Sequence, residues 1–270
     1  MPEPLWTSDE IAAATGGRLE GAPFVVGGVS IDSRSIDKGD LFVALEGVRD
    51  GHDFVLTAME AGASAALVSK PMAVASVEVR DTLRALEQLG VAARDRSDAK
   101  RCAITGSVGK TSVTQAVMAG LTRAGRAHSS VKSYNNHIGV PLTLARMPRD
   151  TERAVFEIGM NHAGEIEPLS KMVRPQAVAI TTVGPVHIEN FEDGEEGVAR
   201  AKAEIFAGLE PGGVAVLNAD NKWFDVLSAE AQKVGAHVVS FGTAEDCTAR
   251  LVDFVLAPSG PPGHLPQRGR

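Results

Sequence analysis

The sequence predicts an α/β fold: a small mixed α/β N-terminal domain followed by a P-loop-type, mostly parallel sheet with helices on both faces. Three observations predict it. From residue 102 to residue 241, short apolar runs alternate with stretches of helical period, the rhythm of a parallel sheet with covered faces. A glycine-rich turn, Thr105-Gly106-Ser107-Val108-Gly109-Lys110-Thr111, stands between one such run and one such helix. Ahead of them lie shorter strand-like runs in a different rhythm, ending near Arg80.

The elements follow in order. Thr7 to Glu10 has capping-box spacing, and the helix it opens stops at Gly16-Gly17. Val29-Ser30-Ile31 and Leu41 to Leu45 read as strands, Phe54 to Ala61 as a helix, and Ala65 to Val68 as another strand. Residues 1–80 are therefore assigned to a first domain. Residues 81–256 form the second. Its first helix is Asp81 to Arg96, with Leu83, Leu86 and Leu89 on one side. Cys102-Ala103-Ile104 is a strand, and Val113, Val117, Leu121 and Ala124 recur at helical spacing before a stop at Gly125. Further strands are expected at Ala154 to Ile158, Val178 to Val183, Val214 to Leu217 and Val238 to Phe241. Helices are expected near Glu165 to Met172, Glu195 to Gly208 and Trp223 to Val234. A strand-like run, Leu251 to Leu256, closes the sequence with no helix after it, and a truncated chain is expected. Residues 257–270 carry Pro258, Gly260, Pro261, Pro262, Gly263 and Pro266 and read as a disordered tail. No internal repeat is visible.

The 270 residues hold 27 Lys and Arg against 34 Asp and Glu, a net charge of −7. A mildly acidic chain is a poor general nucleic-acid binder, because phosphate backbones reward a basic face. Cys102 and Cys247 have no metal-ligand spacing and form no disulfide framework, so a reduced, cytoplasmic compartment fits. The N-terminus lacks the basic start and apolar core of a signal peptide. No apolar run is long enough to span a membrane.

The glycine-rich turn carries the most specific chemistry. Glycines let backbone N–H groups face phosphate oxygens without Cβ interference. The helix that begins near Lys110 adds its positive end. Lys110 reaches β and γ phosphates, and the Thr111 hydroxyl holds a magnesium ion. Ile104 stands where the longer form of the motif has glycine. The bland alternative is a tight strand–helix turn with an exposed lysine.

At this point the residues resemble a known family. Thr105 to Ser112 is similar to the ATP loop of the Mur ligases, cytoplasmic enzymes that build the peptide of bacterial cell-wall precursors. The resemblance also runs through Asp32-Ser33-Arg34, Leu41 to Gly47, Asp50-Gly51-His52-Asp53-Phe54, Tyr134 to Pro141, Glu157 to His162, Gly184 to Phe191, Ala201 to Phe206 and Leu217 to Asp220. It covers nearly everything from Ile11 to Leu256. It implies three domains: one for the UDP substrate, one for ATP and a C-terminal one. The first and most of the second are present here. The implied reaction activates a carboxylate of UDP-muramoyl-tripeptide with ATP and Mg2+, then joins it to the amine of D-alanyl-D-alanine. A monomer is expected.

The resemblance assigns roles to single residues. Glu157, at the carboxyl end of a strand, is a magnesium ligand; read from the sequence alone it is equally a local cap. His187 belongs to the same metal shell, against a structural hydrogen-bonder. Lys202, by sequence a solvated lysine, becomes in this family a carbamate, an anion beside the metal. With Lys110 these make the catalytic set, and Thr111 completes the metal set. Asn218 and Asp220 resemble adenine-side contacts, or are plain turn formers. Asn135 and Asn136 touch substrate or phosphates, or form a turn. Ser33 and Arg34 meet the uridine diphosphate, Arg34 through its planar fork of donors, or they lie in a solvated turn. His52 and Phe54 shape that pocket or pack. Asn161 and His162 stand near the tripeptide. Two other readings compete: a nucleotide-binding module without ligase activity, and a sibling ligase of the Mur or folylpolyglutamate type.

Overall fold

The computed structural model describes residues 3–131, 134–186 and 188–252. His187, the strand-like run beyond residue 252 and the tail 257–270 lie outside the described residues.

The first part of the chain runs β1 (Trp6–Thr7), α1 (Ser8–Thr15), β2 (Arg18–Glu20), β3 (Val25–Val26), β4 (Gly28–Ser30), β5 (Asp40–Val43), α2 (Val55–Glu60), β6 (Ala65–Val68) and β7 (Ser76–Glu78). The capping box is formed: the Thr7 hydroxyl accepts from the Glu10 N–H, and the Glu10 carboxylate accepts from the Thr7 N–H. Gly16 closes α1 in the left-handed conformation (φ 64°). Five strands form a sheet in the order β2-β7-β6-β5-β4, parallel except for the β2–β7 pair. Alternation splits its side chains cleanly. Phe42, Ala44, Ala66 and Val68 pack on Val55 and Ala58 of α2. Leu41, Val43, Ala65, Leu67 and Val77 face the other way.

The chain continues through α3 (Thr82–Asp95), β8 (Lys100–Thr105), α4 (Lys110–Ala124), β9 (Ala127–Ser129), α5 (Gly139–Ala145), β10 (Arg153–Glu157), α6 (Ile166–Val173), β11 (Ala177–Ile180), α7 (Gly194–Ala203), β12 (Val214–Asn218), α8 (Phe224–Lys233), β13 (His237–Gly242) and β14 (Ala249–Arg250). Seven parallel strands lie in the order β14-β13-β12-β11-β8-β10-β9. The expected alternation is therefore present, as a parallel sheet with helices on both faces.

The two faces are not covered equally. Crossovers between parallel strands are right-handed. From β9 onward each connection up to β13 moves the same way along the sheet, so α5, α6, α7 and α8 share one face. A broad core forms there: Leu144, Leu169, Val198 and Leu227 from these helices meet Ala103, Phe156, Val178, Ile180, Ala215 and Leu217 from the strands. Only the β8-to-β9 connection moves the other way, and it puts α4 alone on the opposite face. Over β11 to β13 that second face carries no helix among the described residues. Ala177, Ala179, Val214, Val216 and Val239 are half-buried there.

The two sheets are joined by a shared core. Ala85, Leu86, Leu89 and Ala93 of α3 and Leu142 and Ala145 of α5 pack against the first sheet. The Trp6 indole, 2% exposed, donates to the Ala145 carbonyl (2.9 Å), and the Arg96 guanidinium lies 3.5 Å over its ring. No helix among the described residues is long and apolar enough to cross a membrane.

Candidate functional site

β8 ends at Thr105, and the glycine-rich turn follows at the carboxyl edge of the sheet, flanked by β10 and β11. Gly106 has φ 152° and Gly109 φ 85°, conformations that favour glycine. A Cβ on Gly106 would overlap the Thr181 hydroxyl. That hydroxyl donates to the Val108 carbonyl (2.6 Å). The Ser107 N–H donates to the Thr182 carbonyl (2.8 Å), and Ser107 Oγ both accepts from the Gly184 N–H (3.0 Å) and donates to the Gly184 carbonyl (3.1 Å). The loop is thus fixed along its length by the segment leaving β11. Thr105 is fully buried, its hydroxyl without a partner among the described residues. Val108 and Ser112 are exposed.

Gly109 opens α4, and Lys110 is its first residue. Lys110 Nζ folds back onto the Gly106 carbonyl (2.8 Å). Burial lowers its amine pKa, and the Glu157 carboxylate draws it back up. Glu157, last residue of β10, is 2% exposed. One of its oxygens accepts from the Thr111 hydroxyl (2.9 Å), the other from the Asn135 amide (2.7 Å). Of the two asparagines, then, Asn135 holds Glu157. Asn136 instead caps α5, accepting from the N–H groups of Ile138 (3.2 Å) and Gly139 (2.9 Å).

Lys202 lies in the last turn of α7, 4% exposed, and its amine has no hydrogen-bond or ion-pair partner among the described residues. Burial and the nearby Lys110 cation push its amine down to about 7. The solvated lysine of the sequence reading is not what the structure holds. Glu157, Thr111, Lys110 and Lys202 come together; His187 is outside the described residues. No group of three or more His, Cys, Asp or Glu side chains that could hold a metal ion is found among the described residues.

Other positions fall further away. The Asn218 amide donates to the Thr181 carbonyl (3.4 Å), and its oxygen accepts from the Asp220 N–H (3.0 Å). The Asp220 carboxylate takes the Thr243 N–H and hydroxyl (2.9 Å each). Asn218 ties the end of β12 to the segment after β11, and Asp220 ties the turn after β12 to the residue that follows β13. Ser33 and Arg34 sit on the first sheet's side, in a short turn capped by Asp32, and border a cleft of ≈ 440 Å³ with Phe42, Phe54 and Tyr134. The Arg34 fork is engaged with Asp32 (2.9 and 2.7 Å). His52 is buried and packs: it pairs with Asp50 (2.6 Å) and accepts from the Ser69 N–H (2.9 Å). Asn161 and His162 are exposed beside Glu165, which accepts from the Asn161 N–H (2.7 Å). Asn161 lines a second cleft, of ≈ 460 Å³, with Glu87 and His137.

Sequence reasoning missed Thr181, Thr182, Asn221 and Glu204. The Asn221 amide donates to the Thr182 hydroxyl (2.9 Å) and the Val183 carbonyl (2.8 Å). The one signal for these residues is position: Thr181 and Asn221 follow strands at the edge where the phosphate loop lies.

A family model for the Mur ligase middle domain matches residues 104–257, and one for the Mur ligase family catalytic domain matches residues 25–139. The UDP-N-acetylmuramoyl-tripeptide–D-alanyl-D-alanine ligase of Escherichia coli (strain K12) is 40% identical over 230 residues, covering 83% of this chain and 51% of that protein. The enzyme of the same name from Rickettsia prowazekii (strain Madrid E) is 36% identical over 253 residues, covering 92% and 56%. A crystal structure of MurF from Acinetobacter baumannii aligns with TM-score 0.79 at 33% identity, over 89% of this chain and 54% of that one. MurF from Thermotoga maritima in complex with ADP gives 0.68 at 25% identity, over 80% and 50%. The chain spans about half the length of the curated relatives it matches. Since the middle-domain match alone takes in more than half of its residues, and that stretch includes the phosphate loop, Glu157 and Lys202, the chain belongs to the Mur ligase family.

Proposed function

We propose that this chain binds ATP at the loop 105–112 and serves the ATP-dependent joining of D-alanyl-D-alanine to UDP-N-acetylmuramoyl-tripeptide, in peptidoglycan precursor synthesis. The observation that carries the reading is the buried Glu157, held by Thr111 and Asn135 at the edge of the parallel sheet, with Lys110 near it and the buried Lys202 near Lys110. Backbone N–H groups of residues 106 and 108–110 face the terminal phosphates, the Ser107 N–H being held by the Thr182 carbonyl, and Lys110, released from the Gly106 carbonyl, neutralises their charge. A substrate carboxylate oxygen attacks the γ-phosphorus and ADP leaves. The amine nitrogen of D-alanyl-D-alanine then attacks the acyl carbon, phosphate leaves and the amine gives up a proton. The protein's part is positioning and charge neutralisation.

Magnesium fits the donor set. Thr111 Oγ1 and the Glu157 carboxylate are hard oxygen donors, and Asn135 orients the second carboxylate oxygen. Bound there, the ion would offset negative charge on the phosphates. His187 and Lys202 complete this proposed set. A lysine amine at about 7 is about half neutral near neutral pH, against almost none for an ordinary lysine, and that neutral fraction is nucleophilic toward carbon dioxide, which supports the carbamate reading of Lys202. Asn218 and Asp220 belong on the adenine side. Ser33 and Arg34 belong with the uridine diphosphate, and Asn136, Asn161 and His162 with the peptide. A cytoplasmic location and a monomeric state go with this reading.

Mixing the chain with ATP, magnesium, UDP-muramoyl-tripeptide and D-alanyl-D-alanine tests it through phosphate release. Lys110→Ala is expected to lose both ATP binding and turnover, and unchanged ATP affinity in that variant rejects the phosphate-loop assignment. A second reading is a nucleotide-binding module without ligation. ATP binding without phosphate release selects it.

A further inference from the structure

α6 begins without a cap of its own. Glu165, the residue before it, makes no capping bond to the helix; its carboxylate accepts from the Asn161 N–H and pairs with His162 Nδ1 (3.2 Å). The cap comes from elsewhere in the chain. Glu204, in the turn after α7, aims both oxygens at this helix end. Oε1 accepts from the Gly164 N–H (2.7 Å), and Oε2 from those of Ile166 (3.1 Å) and Glu167 (3.3 Å). One carboxylate thus satisfies three amides at a helix start, where unpaired N–H groups and the positive end of the dipole both favour an anion.

The rest of the turn is fastened to the same helix. The Ser170 hydroxyl donates to the Ile205 carbonyl (2.5 Å), and Gly208 lies so close to the Ser170 backbone that no Cβ would fit. Lys202, two residues before Glu204, has no partner at its own head group among the described residues. Its place is set by the helix end that carries it. Gly164, at the other end of the Glu204 bridge, belongs to the loop that leaves Glu157.

We propose that Glu204 is a positioning residue: it ties the end of α7 to the segment following β10, and so fixes where Lys202 stands relative to Glu157 and Lys110. The inference rests on the reading of Lys202 and Glu157 as parts of the magnesium–nucleotide site.

The test is a double-mutant cycle on the full chain, with ATP as probe. Its readout is the gain in ATP affinity on adding magnesium, measured by calorimetry well below the unfolding midpoint. ATP affinity without magnesium reports whether each variant is folded at the phosphate loop. Lys202→Ala is expected to cut the gain strongly while Thr111 and Glu157 leave a measurable remainder. Glu204→Gln, which keeps one oxygen acceptor but loses the charge, is expected to cut it about five-fold or more, a change of the size residues in contact show in such cycles. Glu204→Asp, which keeps the charge, is expected to recover part of it and serves if the glutamine variant does not fold. Lys202→Ala with Glu204→Gln should be no worse than Lys202→Ala alone. A Glu204→Gln variant that loses only thermal stability, or losses that add, overturns the proposal and leaves the site reading standing. A magnesium gain untouched by Lys202→Ala, or no ATP binding by the parent, sinks the site reading and this proposal with it.

Discussion

Replacing Lys202 by methionine should stabilise the folded chain at neutral and acidic pH, although it removes a residue from the centre of the proposed site. The amine falls from an ordinary 10.5 to about 7, first through burial and then through the Lys110 cation. With each pH unit equivalent to about 1.4 kcal/mol, the buried charge costs on the order of 5 kcal/mol. Below pH 7 the amine is protonated in both folded and unfolded chains, so the whole cost is present. Between about 7 and 10.5 the unfolded chain binds more protons than the folded one, and stability rises with pH. Above 10.5 the cost is gone. Methionine has similar length and no charge. At pH 6 the variant should therefore be more stable by roughly 1–5 kcal/mol, the lower figure allowing for relaxation of the site. Each kcal/mol raises the melting temperature by about 2–4 °C in a chain of this size. Urea denaturation at pH 6, 8 and 10 reads the difference, which should shrink steadily across the series. A variant less stable than the parent at pH 6, or a difference that ignores pH, refutes the reasoning. Bicarbonate should raise the parent's midpoint and not the variant's, because a carbamate would place an anion beside Lys110.

Gly106→Ala puts a Cβ onto the Thr181 hydroxyl, 3.1 Å from Thr181 Cβ, at φ 152°. Strain of about 1–3 kcal/mol should weaken ATP binding about five-fold or more, and adding Thr181→Ala should recover only part of it, since the backbone strain stays. Affinity within two-fold of the parent would overturn this, by calorimetry. Leu217→Ala, on the helix-covered face and fully buried, should cost about 2–5 kcal/mol. Val216→Ala, one residue earlier on the open face, should cost under about 1 kcal/mol; equal shifts in urea midpoint would contradict the assignment of faces. Burial pushes the Cys102 thiol up to about 11. A thiol reagent at pH 7.5 should therefore leave Cys102 unmodified until the chain unfolds, as peptide mapping would show.

Much of the second sheet is legible in the sequence because its signals are local. β8, β10, β11, β12 and β13 are apolar runs bounded by polar turns, and α6 and α8 stand within about a residue of their expected ends. The expected helix Glu195 to Gly208 is instead α7 with a 3₁₀ turn at Glu204–Gly208. α5 escaped for a physical reason. All seven of its residues are buried, so it shows no polar face and no helical period, and Pro141 suggests a loop. In fact Pro141 lies in the first turn, where its missing N–H costs nothing. β2, β7 and β9 are three residues long and are held by longer-range pairing with neighbouring strands, and the two residues of β3 pair only with β1. In the site, the glycine-rich loop announces itself because its chemistry demands a fixed spacing. Glu204 does not, because its three partners lie 37 to 40 residues away in sequence.

The placement of the site follows from the order of the strands. The chain leaves β8 toward β9, returns to β10, and then passes β8 to add β11, β12 and β13 on the other side. In an open parallel sheet a reversal of this kind separates the loops at the carboxyl edge, and ligands bind there. Four strand ends meet at that place: the glycine-rich loop after β8, Glu157 at β10, Thr181 to Gly184 after β11 and Asn218 to Asn221 after β12. They are already cross-braced, Ser107 to Thr182 and Gly184, Thr111 to Glu157, Asn221 to Thr182 and Val183. Donors held in place beforehand need little reorganisation when charge arrives. Lys202 differs from all of these. It comes from a helix end and not from a strand end, so no ladder of backbone hydrogen bonds fixes it. A carboxylate two residues along the chain, bound to the amides of a neighbouring helix, supplies the constraint that the sheet gives the others.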